Sequence, residues 1–213
     1  MPTTNSPLRT AGISSLPPTA CRELDAMLAV ADGFSESTMN DLTDPAWTEI
    51  RQRTQASQKL RAIHCLENPG YRDLSVQRHG RGDLARALEI YEADLIIHLT
   101  CANSPEIGLL SASGRSAVLN PRANTTLGLP PPPILPLFDA GANLLLGTDN
   151  VMLTPPNLFA ELEFTYRFAR SQAGETRATA PRPSSQWSQA TFARPWAETT
   201  TATWARTCPP PSS

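Results

Sequence analysis

The chain has 213 residues, enough to bury one sizeable core. With 20 acidic against 18 basic residues, the net charge of -2 excludes a nucleic-acid binder held by a basic surface and a polybasic membrane anchor. Four cysteines (Cys21, Cys65, Cys101 and Cys208) have no CxxC spacing, and no apolar run reaches the roughly 18 residues of a membrane span. A soluble protein of the reducing cytoplasm is therefore expected.

Residues 1–20 are rich in Pro, Ser and Thr without period, and are expected to be disordered. The run Ala26–Ala31 reads equally as a buried strand or a helix end. Asp44-Pro45 starts a helix with Asp44 as its N-cap, and Lys59–Glu67 follows as a strand. Asn68-Pro69-Gly70 is a turn leading to a polar loop, where His79 is expected to be solvated. Gly82-Asp83 opens a helix running to Glu92, with Leu84, Leu88 and Tyr91 on one face. A strand then ends at His98.

Ser104-Pro105-Glu106 begins the next helix, which Gly114 closes. Ser116–Asn120 is a short strand, Ile134–Asp139 a brief helix, and Asn143–Gly147 the last strand before Asp149. Leu158–Arg170 is an amphipathic helix carrying Phe159, Leu162, Tyr166 and Phe168. Alternating helices and strands with short links imply α/β architecture with a parallel sheet over 21–173. Beyond Ala173 no period persists, and 174–213 is expected to be disordered.

Three residues stand out because each ends a successive strand: His64, His98 and Asp149. A β/α barrel collects its active-site groups from strand ends in this way. In His64-Cys-Leu-Glu67, a neutral imidazole can hold a metal while a carboxylate three residues on works as general acid or base. Each element alone is equally a strand-end histidine or a turn; the conjunction points to chemistry.

Several motifs together resemble one family. His64-Cys-Leu-Glu67, Ile97-His98-Leu-Thr100, Asn120-Pro-Arg-Ala-Asn124, Asp139–Asp149 and Leu158-Phe-Ala-Glu161 look like the second half of the amidohydrolase superfamily, in its cytosine deaminase and chlorohydrolase-like branch. The resemblance implies a partial TIM-like (β/α)8 barrel, roughly strands 4 to 8. It implies His64 and Asp149 as metal ligands, and Glu67, His98 and Asp149 as catalytic groups. Zinc is the metal expected, with ferrous iron as the alternative, for hydrolysis of C–N bonds in a small-molecule substrate.

The family also uses a His-x-His pair on its first strand. The three histidines here, His64, His79 and His98, contain no such pair. The chain is therefore expected to be a truncated hydrolase. The alternative is a non-catalytic remnant, or a half-barrel subunit whose partner chain supplies the missing ligands. An open half-barrel exposes two strand edges, so marginal stability or oligomerisation is expected. The tail is expected to be an out-of-frame reading that departs between about Ala173 and Gln186, where helical period fails.

Overall fold

The computed structural model describes residues 15–173. Expectations for 1–14 and 174–213, including the frame change, lie outside the described residues. Five strands, β1 (Gly33–Glu36), β2 (Leu60–Cys65), β3 (Leu95–His98), β4 (Ser116–Leu119) and β5 (Asn143–Leu146), form one sheet in the order β1-β2-β3-β4-β5. Every pairing is parallel. Each strand lies beside the next one in the chain, the topology of a partial TIM-like barrel.

Helix α1 (Pro18–Val30) settles the ambiguous run before Ala31 as a helix end. Ala20, Leu24 and Leu28, four residues apart, form its buried stripe. It begins at Pro18, so ordered structure reaches back before Cys21. The turn from α1 into β1 places Gly33 hard against the neighbouring strand, where a Cβ would come within 2.8 Å of the Leu60 carbonyl oxygen.

Helix α2 (Asp44–Ala56) starts where expected, but Thr43 is its N-cap and no side chain caps it. Asp44 is drawn elsewhere, accepting from Arg86 Nε at 2.7 Å. Arg86 is fully buried and also donates to the carbonyls of Met39 and Leu42, both at 2.9 Å. A side chain with five donors and no acceptor suits such carbonyl-rich surroundings. Beside it, Trp47 donates to Met39 O at 3.0 Å and packs its ring 4.8 Å from that of Tyr91.

The expected polar loop after Asn68 is a helix, α3 (Pro69–His79). Asn68 accepts from the Gly70 N–H, Pro69 occupies the first helical turn, and Gly80 ends the helix at φ 71°. Turn chemistry and helix-start chemistry share these residues, which is why the sequence reads both ways. His79 sits half-buried in the last turn of α3, and burial lowers its pKa; it is not a solvated loop residue.

Helix α4 (Asp83–Arg86) continues as a π-helical turn, Ala87–Tyr91, before β3. In α5 (Ser104–Ser113) the cap is Asn103 rather than Ser104, in a reciprocal capping box with Glu106. Helix α6 (Pro121–Thr126) has no counterpart in the sequence reading; α7 (Ile134–Asp139) has one. In α8 (Leu158–Ala173) the buried stripe is Glu161, Thr165 and Ala169, while Phe159 is 86% exposed. Phe168 packs against the core, so the aromatic residues of this helix do not share one face.

Among the described residues, no helix is long and apolar enough to cross a membrane. At the amino end of the sheet, Asp94 accepts from the Arg61 N–H at 2.9 Å and pairs with Arg115 at 2.7 Å. This closes the face opposite the strand ends that carry His64 and His98.

Removing Arg86 leaves the Leu42 carbonyl without its donor, leaves Met39 O with Trp47 alone, and breaks an ion pair whose guanidinium end is fully buried. Arg86→Ala is expected to lower the unfolding free energy by about 3 kcal/mol, measured as a drop in urea midpoint with an unchanged slope.

Candidate active site

Strand β2 delivers His64 at its carboxyl end, and Glu67 follows in the loop to α3. Strand β3 delivers His98. The register pairs His64 with Ile97 and Cys65 with His98. Strict alternation would therefore send His98 to the side of Cys65. Instead His98 has φ 79° and Leu99 φ 56°, and this left-handed turn lays the two imidazoles together. Their centroids are 4.7 Å apart, edge to face, with His98 Nε2 3.1 Å from His64 Nδ1.

Glu67 completes the group. Its carboxylate lies 3.8 Å from His64 Nδ1 and 3.7 Å from His98 Nε2. One potential ligand atom from each of His64, Glu67 and His98 lies within 4.8 Å of the others. Two imidazole nitrogens and a carboxylate oxygen are a donor set suited to zinc and to other borderline divalent cations, so these residues fit a divalent metal.

The loops that carry these groups are braced. Leu66, at φ 51°, donates its N–H to the buried Asp83 carboxylate at 2.8 Å. Thr100 sets its hydroxyl against the carbonyls of Leu66, at 2.8 Å, and Glu67. Non-glycine residues with positive φ cost on the order of 1 kcal/mol each and persist where surrounding contacts hold them. Leu66, His98, Leu99 and Asp149 all adopt that conformation at the strand ends.

Asp149 lies beyond β5, half-buried at φ 56°. Its charge opposes the burial that lowers the His98 pKa and adds to the burial that raises that of Glu161, yet it stands outside the group formed by His64, Glu67 and His98. Just before it, a Cβ on Gly147 would come within 2.4 Å of the Asn120 side chain. With its amide oriented to donate, Asn120 bonds Gly147 O at 3.0 Å and Leu119 O at 3.2 Å. Glycine is thus needed where β5 passes into the Asp149 loop.

Electrostatics divide the group. The neighbouring His64 imidazole, followed by His98, holds Glu67 below the usual carboxylate range despite partial burial. Burial pulls the His98 pKa down, partly offset by Glu67. The structure adds residues that the sequence reading did not assign to the site: Asp83, Thr100 and Asn124, the last with Nδ2 3.1 Å from His98 Nδ1. Asn124 and Thr100 stand within recognisable motifs, but their roles depend on contacts across strands.

No protein-family profile matches the chain. A protein described as "Putative aminohydrolase", from Methanothermobacter thermautotrophicus, is 35% identical over 152 residues, 71% of this chain and 39% of that protein. Among solved structures, a zinc-bound adenosine deaminase from Xanthomonas campestris superposes with a TM-score of 0.64 at 22% identity, covering 76% of this chain and 38% of that one. The chain is similar in sequence to an aminohydrolase and shares the fold of amidohydrolase-superfamily deaminases. A second relative, a 5-methylthioadenosine/S-adenosylhomocysteine deaminase from Teredinibacter turnerae, is 29% identical over 120 residues, 54% of this chain and 27% of that protein. The chain thus spans well under half the length of the curated relatives it matches. The five parallel strands are those of the carboxyl-terminal half of the superfamily's barrel.

Asp83 gives a pH-dependent expectation. Burial raises its pKa from the ordinary 3.8, outweighing the N–H bonds it accepts. A raised folded-state value means that its contribution to stability is fully present below 3.8 and is lost as pH rises through the folded value. Asp83→Asn keeps an acceptor for Leu66 without ionising. Its stability relative to wild type should therefore rise between about pH 4 and pH 7, read as the difference in urea midpoints.

Proposed function

We propose that this chain carries part of the active site of a metal-dependent hydrolase acting on C–N bonds, of the deaminase type. The observation that carries the reading is the convergence of His64, Glu67 and His98 on one point at the strand ends. The aminohydrolase and deaminase relatives support the reaction class.

His64 and Asp149 would hold the cation, zinc before ferrous iron, with Glu67 and His98 beside it. When bound, a divalent cation supplies Lewis acidity that lowers the pKa of a water and polarises the carbon under attack. Asp149 takes a proton from the attacking water. Glu67, kept ionised by its imidazole neighbours, carries a proton to the departing nitrogen. His98 is walled off from solvent and directs Nε2 into the same space, where it orients the water or the substrate. The substrate is a small molecule bearing an amine on an amidine-like carbon.

The second reading is a half-barrel subunit that acts only beside a chain completing the ligand set. Its support is the sheet itself, in which β1 and β5 each have one side without a strand partner among the described residues. Apolar side chains are exposed near both edges, with Val30 87% and Met152 83% accessible.

Zinc titration of the full chain, with ammonia release from amino-substituted purines and pyrimidines, separates the two. The first reading expects one tightly held zinc per chain and measurable ammonia release. In that case His64→Ala should abolish zinc binding, and Glu67→Gln should retain zinc while losing roughly 100-fold or more in kcat. Zinc lost on dialysis, with no turnover, would support the half-barrel reading and overturn the first.

A further inference from the structure

We infer that Asn124 is a positioning residue that fixes the tautomer of His98, keeping the proton on Nε2 and so reserving His98 as a hydrogen-bond donor rather than a metal ligand. The inference deepens the proposed hydrolase reading and rests on it for its consequence in catalysis. Its physical content can be tested without turnover.

The geometry is closed on both sides of the ring. His98 and Asn124 are each fully buried, so no solvent competes for either. Asn124 lies on α6, where its own N–H bonds Asn120 O at 3.0 Å and its carbonyl accepts from Leu129 N at 2.9 Å. Its backbone is therefore fixed beside the ring. The amide nitrogen, Nδ2, stands 3.1 Å from His98 Nδ1. An amide nitrogen can only donate, so the ring nitrogen it meets must be the one without a proton. In a neutral imidazole the proton then sits on Nε2.

The other side of the ring accommodates the same assignment. His98 Nε2 faces His64 Nδ1 at 3.1 Å and Glu67 Oε1 at 3.7 Å. An ionised carboxylate is an acceptor only, and an Nε2–H between it and an unprotonated His64 Nδ1 has acceptors on both sides. The opposite tautomer would aim a lone pair at the carboxylate. It would also require Asn124 to turn its oxygen to the ring and put its NH2 where Oδ1 now lies buried without a partner. Orphaned N–H groups are tolerated less readily than an under-satisfied carbonyl oxygen.

One consequence follows for His64 and one for the metal. Accepting from His98 makes Nδ1 the unprotonated nitrogen of His64, and because its single lone pair is engaged by His98, a cation that binds there displaces this hydrogen bond. His98, holding its proton on the inward nitrogen, donates to the oxygen or nitrogen of whatever occupies the space in front of Glu67. Of the two imidazoles, His64 alone is then left to ligate a cation, with His98 an adjacent donor.

The test is long-range proton–nitrogen correlation on the full chain, metal-free and with 15N-labelled histidine, at mildly alkaline pH. His98 should show a pyrrole-type Nε2 and a pyridine-type Nδ1, in roughly tenfold or greater excess over the other tautomer, the bias one buried hydrogen bond provides. The reverse pattern, or an even mixture, overturns the inference without any variant being made. Asn124→Asp presents only acceptors and should move the proton to Nδ1; Asn124→Leu should leave a mixture. His79, remote in the chain and outside the group, should be unchanged in both variants. Added zinc should shift the His64 nitrogens and leave the His98 tautomer in place. Zinc that shifts both rings alike overturns the inference while leaving the hydrolase reading standing. An Nε2–H His98 in a chain that binds no zinc upholds the tautomer and removes the hydrolase reading.

Discussion

The site depends on how β3 ends. Parallel pairing with β2 brings His98 level with Cys65, and pleat alternation alone would separate it from His64. Two successive left-handed residues, His98 and Leu99, reverse that outcome and bring the rings to 3.1 Å. Such a turn is unfavourable for a histidine and a leucine. It is held because Leu99 donates to Cys65 O at 3.1 Å, Cys101 donates to Leu66 O at 2.9 Å, and Thr100 sets its hydroxyl against two carbonyls of the neighbouring loop. Sheet register, loop bracing and imidazole contact are therefore one construction.

Support for that construction comes from charged groups that lie further along the chain, or earlier in it, but close to the loop of Glu67 in space. Asp83 begins α4 and reaches back to Leu66. Three residues on, Arg86 gathers Asp44 and the carbonyls of Met39 and Leu42. One short helix thus ties the loop before Glu67 to the segment that joins β1 and α2. Buried charges contribute little net stability by themselves, but removing one partner is costly, and this makes the arrangement specific.

The parallel sheet was legible because four of its strands are apolar runs bounded by turn residues, and His64, Glu67 and His98 were legible because they stand at or just beyond strand ends. β1 was not recovered: Gly33–Glu36 is four residues with one buried side chain, too short for a period to register. α3 was lost because Asn68-Pro69-Gly70 serves a turn and a helix start equally well. α6 has six residues hidden behind Pro121, and without it Asn124 has no evident direction. The buried stripe of α8, Glu161, Thr165 and Ala169, is small or polar, and hydrophobicity does not report it.

The consecutive strand order bears on synthesis at the ribosome. Because each strand pairs with its predecessor in the chain, the sheet can lengthen one strand at a time as residues emerge, without waiting for a distant segment. His64 and Glu67 emerge first and His98 joins them when β3 docks. Asn124 arrives only after β4 has formed. The imidazole pair is thus assembled before the amide that orders its protons, and β5 with Asp149 is added last.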